Sequence, residues 1–66
     1  MKTNVVVKAF MERDGMEQME AFGLYSEIMH DVQYMIDEGD FAGAEEVFMA
    51  DTGLEVDCLY DCLSQI

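Results

Sequence analysis

Apolar residues recur every three or four positions through the middle of this chain. Phe22, Tyr25, Ile28, Met29, Val32, Met35 and Ile36 share one broad stripe when residues are placed at steps of about 100°. Glu20, Glu27, Asp31 and Glu38 fall on the opposite side, within a narrow band. The pattern predicts an amphipathic helix ending near Glu38. Asp14-Gly15-Met16-Glu17 reads as the capping box that starts it, with Asp14 at the N-cap and Glu17 reaching back. Gly39 reads as its C-cap. Gly23 weakens such a helix by about 1 kcal/mol relative to alanine, so it marks an expected close crossing or bend.

The two ends carry other patterns. Residues 4–11, Asn4 to Met11, are β-branched and aromatic-rich and read as a short strand. A lone strand needs a partner, in this chain or in a second copy. Asp40 caps a second predicted helix, from Phe41 to about Ala50. Phe41, Ala44, Val47 and Phe48 give its apolar face, with Glu45 and Glu46 outside. Asp51-Thr52-Gly53 is a turn signal. Thr52-Gly53-Leu54-Glu55 repeats the capping pattern, and Val56, Leu59, Tyr60 and Leu63 continue at helical spacing. Leu54, Val56, Cys58, Tyr60 and Cys62 also alternate as a strand would. Helix is the favoured reading of residues 54–66. The expected architecture is mainly α: a short N-terminal strand, a long amphipathic helix, then a helix-turn-helix-like hairpin, all in one small acidic domain over residues 1–66. The alternative is α+β, a βααβ arrangement that pairs N- and C-terminal strands.

Charge sharpens this picture. Fifteen carboxylates face three lysines and arginines, for a formal net charge of −12. All three cations (Lys2, Lys8 and Arg13) precede residue 14, and no lysine or arginine follows. A folded domain with that field repels itself, which costs stability. A cationic surface on another macromolecule is the natural counterpart. The chain is still no disordered acidic tail. Its apolar content is 52%, with four Phe, three Tyr and seven Met, and disordered acidic segments are poor in such residues. No apolar run approaches the ~18 residues that span a bilayer, and anionic lipid would repel this surface. A soluble, cytoplasmic protein is expected. A chain of this size buries only about 60% of its unfolded surface, which leaves little room for an enzyme pocket.

Residues 44–63, from Ala44 to Leu63, resemble the helix-turn-helix of small transcription factors. Gly53 stands at the turn glycine, Leu54 and Leu59 at positions that pack the two helices, and Phe48 at an inward position. Met49 departs from that pattern, which usually has a small residue there. The resemblance implies a shape. It does not extend to DNA binding, because the second helix carries Glu55, Asp57 and Asp61 and no cation. Neutralising phosphates supplies much of the affinity of such complexes.

The carboxylate row is the candidate site. Glu20, Glu27, Asp31 and Glu38 span about 27 Å at the helical rise, with successive gaps of roughly 10, 6 and 10 Å. Phosphates along a nucleic-acid strand present charge at comparable intervals. Arginines and lysines that bind nucleic acid would find carboxylate partners here. Asp57 and Asp61 are expected as support, and Asp37, Asp40, Glu45, Glu46 and Asp51 extend the field. In size, charge and composition the chain resembles small acidic phage proteins that block restriction, CRISPR or glycosylase enzymes. That resemblance implies a non-enzymatic inhibitor that mimics nucleic-acid charge. Its partner would be a basic, nucleic-acid-binding protein such as a restriction, CRISPR, repair or transcription factor, with no direct nucleic acid and no membrane.

Other chemistries fit less well. Asp37-Glu38-Gly39-Asp40 lacks the ligand spacing of a calcium loop. Cys58 and Cys62, four apart, suit a disulfide poorly on a helix, and with one distant His30 they form an incomplete zinc set. They read as small apolar side chains in a reducing compartment. His30 reads as a partly exposed helix residue. No catalytic residue, metal ligand or cofactor is assigned. Met16 and Met19 lie off the main stripe and are expected against the N-terminal strand, a second subunit or a partner. The second functional expectation is a small helical adaptor that binds a partner, or a second copy as a homodimer, through apolar surface. In that version the strand at 4–11 adds to a sheet edge.

Overall fold

Asn4 turns the run that follows it into a helix. The computed structural model, which describes residues 4–64, places Asn4 at the N-cap of α1 (Val5–Asp14). Its side-chain oxygen accepts from the backbone N–H of Val6 (2.8 Å) and Val7 (3.3 Å). Val6, Val7 and Phe10 then share one face and are buried. The strand expected over residues 4–11 is absent, and so is any pairing of terminal strands. Among the described residues the chain is four helices with no strand. A β-branched residue costs a helix up to about 0.7 kcal/mol. Burying a valine or phenylalanine side chain contributes about 1.5–3 kcal/mol. Burial against the other helices therefore outweighs the local preference for strand.

The boundaries differ from the capping-box reading. Asp14 is the last residue of α1, and Gly15 follows it with φ 70 and an N–H bonded to the Phe10 carbonyl. This glycine ends a helix instead of lying inside a cap. The next helix, α2 (Gln18–Asp37), has Glu17 at its N-cap with no side-chain capping bond. Glu38 is the C-cap of α2, and Gly39 takes the left-handed φ of 83 one residue later. Asp40 caps α3 (Phe41–Thr52) as expected, its Oδ1 accepting the Gly43 N–H at 3.0 Å.

Thr52, expected to open the last helix, closes α3 instead. Its buried hydroxyl donates to the Phe48 carbonyl (2.7 Å) and accepts the Leu54 N–H (3.1 Å). Gly53 makes the turn at φ 71. The favoured helical reading of the C-terminal segment holds for α4 (Val56–Ser64). The last two positions of the segment 54–66, like Lys2 at the other end, lie outside the described residues.

Each helix packs on two others: α2 against α1 and α3, and α4 against α1 and α3. One core joins them, with Val6, Val7 and Phe10 from α1, Ala21, Ile28 and Val32 from α2, Ala44 and Phe48 from α3, and Leu59 and Cys62 from α4. Met16 packs against this core, whereas Met19 is 88% exposed. Phe22, placed on the apolar stripe by its spacing, sits at the stripe's edge. It is exposed and tilted against Tyr25, with ring centroids 6.1 Å apart.

Arg13 supplies the cation that the C-terminal end of α3 itself lacks. The last turn of α3 holds no basic residue. From the end of α1, Arg13 Nη1 donates to the Thr52 carbonyl at 2.8 Å. Its Nε and Nη2 grip both Asp14 oxygens, and its guanidinium lies 5.9 Å from the Phe10 ring centroid. A cation at a helix C-terminus complements the carbonyl end of the helix dipole. One of the chain's few cations is thus committed to joining α1 and α3.

Candidate functional site

The acidic row survives in three dimensions because α2 is one continuous helix. Ala21, Ile28 and Val32 turn one side of α2 into the core. At about 100° per residue, Glu20, Glu27, Asp31 and Glu38 then fall together roughly 100° around the axis from that side. All four are exposed. None of them forms an ion pair with lysine or arginine among the described residues. Asp31 has only its neighbour His30, with Nδ1 to Oδ1 at 3.9 Å and both side chains exposed. The described cations, Lys8 and Arg13, both belong to α1.

The supporting pair lies elsewhere. Asp57 and Asp61 are exposed on the outer face of α4, opposite the buried Leu59 and Cys62. α4 packs against α1 and α3. Asp57 and Asp61 therefore stand on a different helix from the row. They make a second acidic face.

Much of the remaining acid is engaged locally. Asp14 is held by Arg13, and the hydrogen bond and charge of that guanidinium lower its pKa from the ordinary carboxylate value. Asp37 accepts from Gln33 Nε2 at 3.0 Å, and Asp40 caps α3. Glu45 accepts the Tyr60 hydroxyl, which raises the Tyr60 pKa. Glu46 and Asp51 are exposed.

Asn4, Tyr25 and Cys62 form a partly buried polar node. Asn4 Nδ2 approaches Cys62 Sγ at 3.7 Å, in addition to Asn4's capping role. Burial pushes the Cys62 thiol pKa up, and burial also raises that of Tyr25. A neutral thiol and phenol suit packing rather than nucleophilic chemistry. Cys58 and Cys62 are free thiols. Among the described residues no three His, Cys, Asp or Glu side chains converge as a metal set. Among the described residues no helix is long and apolar enough to cross a membrane.

Two residues of the acidic face escape a reading by charge alone. Tyr34 lies within about 60° of the row and Gly23 beside it, at the same helical step. Tyr34 is 64% exposed. Their positions follow from the spacing, but neither carries the charge that marks the row. No family of proteins, no characterised protein and no solved structure matches this chain.

Proposed function

We propose that the chain is a non-enzymatic, cytoplasmic inhibitor that occupies the cationic groove of a nucleic-acid-binding protein by presenting nucleic-acid-like charge. The supporting observation is the exposed row Glu20, Glu27, Asp31 and Glu38 along α2 and its C-cap, with no lysine or arginine paired to it among the described residues. Ordinary solvated helix faces mix Glu with Lys at i,i+4 for local stabilisation. This face does not, so its electrostatic cost is left for a partner to offset. Restriction, CRISPR, repair and transcription proteins carry grooves of the required sign, and counter-defence in a phage is the setting that fits. Association would be fast and sensitive to salt.

The test is affinity capture from host lysate with elution in salt steps, repeated with Glu27→Lys/Asp31→Lys and with Met19→Ala. The charge reversals should weaken capture of a nucleic-acid-binding protein by at least about tenfold, the scale of steering effects. Met19→Ala should leave it unchanged. Equal loss from both variants would refute the charge model.

The exposed aromatics Phe22 and Phe41, 59% and 58% accessible, favour one second reading. In it the chain is a small adaptor that binds a partner, or itself, through apolar surface. The sheet-edge version of that reading falls with the strand at residues 4–11. Capture that persists through high salt and is lost in Phe22→Asp would select the adaptor.

A further inference from the structure

Gly23 is a cost without an internal return. It stands inside α2, where glycine is the poorest ordinary helix former. A close crossing by another element would justify it, yet a Cβ placed there meets nothing within 4 Å beyond its own turn. Its φ is ordinary, unlike those of Gly15, Gly39 and Gly53. Gly23 therefore serves no contact within the described chain. It lies three residues after Glu20 and four before Glu27, and leaves the outer surface of α2 flat between them. Tyr34 is the complementary feature. It is a large aromatic side chain, 64% exposed, three residues after Asp31 and four before Glu38.

We infer that the outer face of α2 is a docking surface for an arginine-bearing protein segment, which crosses at Gly23 and stacks a guanidinium on Tyr34. This rests on the charge-presenting reading above and names the cation it selects. Sign complementarity supplies the first part, since the face carries four carboxylates without a lysine or arginine partner among the described residues. The choice of arginine comes from Tyr34. A planar guanidinium stacks on an aromatic face while its edge donates two parallel hydrogen bonds to a carboxylate. Asp31 and Glu38, one turn to either side of Tyr34, are placed to accept them. An ammonium group is a compact, strongly hydrated point charge and gains less from the ring. At Gly23 the absence of a side chain lets the segment's backbone approach the helix closely.

The experiment uses two alanine-based helical peptides that differ only in carrying four arginines or four lysines. Their charges are spaced seven, four and seven residues apart, the spacing of Glu20, Glu27, Asp31 and Glu38. Binding to the full chain is measured by calorimetry at low salt, beside thermal melts. The parent should bind the arginine peptide several-fold more tightly. Tyr34→Ala should lower arginine-peptide affinity roughly fivefold, within the range for a cation–π contact, and leave the lysine peptide unchanged. Tyr34→Phe should retain the preference. Gly23→Ala should raise the melting temperature by about 4–8 °C, the response of a small domain to one improved helix position, and yet bind the arginine peptide several-fold more weakly. Such opposed changes cannot come from a merely structural glycine. Equal, salt-sensitive binding of both peptides, unmoved by Gly23→Ala and Tyr34→Ala, would overturn this inference and leave the charge array standing. Failure of both peptides to bind at low salt would overturn this inference and the charge-presenting reading together.

Discussion

Asn4→Ala is the perturbation that tests why α1 is a helix. Three valines open α1, and together they cost a helix about 2 kcal/mol relative to alanine. Asn4 offsets part of this by accepting from the N–H groups of Val6 and Val7. A cap of this type contributes typically ~1 kcal/mol and up to about 2. Its Nδ2 also reaches Cys62 Sγ at 3.7 Å, so the cap ties the start of α1 to α4. Burial of Val6, Val7 and Phe10 contributes more than the cap does, at about 1.5–3 kcal/mol for each side chain. Asn4→Ala should therefore cost about 1–2 kcal/mol, out of the roughly 3–10 kcal/mol expected of a chain this size. Asn4→Asp keeps the acceptor at the helix N-terminus and should lose less. The assay is urea unfolding followed by far-UV circular dichroism, with a synthetic peptide of residues 1–17 measured alongside. That peptide should be unstructured in water, since it lacks the core and is short for an isolated helix. A loss below about 0.3 kcal/mol, well under the usual cap value, would refute the capping account. A helical peptide would refute the claim that burial decides the conformation of α1.

Other consequences are as direct. Phe48 is fully buried where α3 meets the core, so Phe48→Ala should cost about 3–5 kcal/mol and leave little cooperative unfolding in a urea titration. A parent-like midpoint would contradict the packing described. Raising salt from about 0.1 M to 1 M shortens the screening length from ~10 Å to ~3 Å, and should raise the urea midpoint by relieving repulsion among the carboxylates; a fall would show that attraction dominates. Burial raises the Cys62 thiol pKa above its unfolded value. The stability this group contributes is fully present below the unfolded pKa and is lost as pH rises through the folded one. Stability should therefore hold through neutral pH and decline in alkaline solution, less steeply in Cys62→Ala when each protein is compared with its own neutral value; an identical slope would contradict a linked Cys62. In the same samples a maleimide should label Cys58 before Cys62.

Legibility followed the range of the interactions. The amphipathic span of α2 and the cap of α3 by Asp40 depend on neighbours three and four residues away, so spacing alone showed them. The acidic row was visible for the same reason, because a continuous helix converts sequence intervals into a fixed geometry. Both misplaced capping boxes had a glycine directly after the proposed cap, and in each the glycine's left-handed φ ends the preceding helix. That signal was present in Asp14-Gly15 and Thr52-Gly53, and the capping pattern masked it. Phe22 was misplaced by degree, since it borders the apolar stripe without entering the core.

The sequence by itself determined the segregation of charge, the long amphipathic helix, and the lack of any cation to neutralise the carboxylates beyond Arg13. These are matters of order and local period. Only tertiary structure decided that Val5-Val6-Val7 is helical, because burial against α2 and α4 outweighs a β-branched preference. Only tertiary structure sent Arg13 to the end of α3, 39 residues away in sequence. It also decided that α4, which carries Asp57 and Asp61, packs against α1 and α3, since helix spacing says nothing about which neighbours a helix will take.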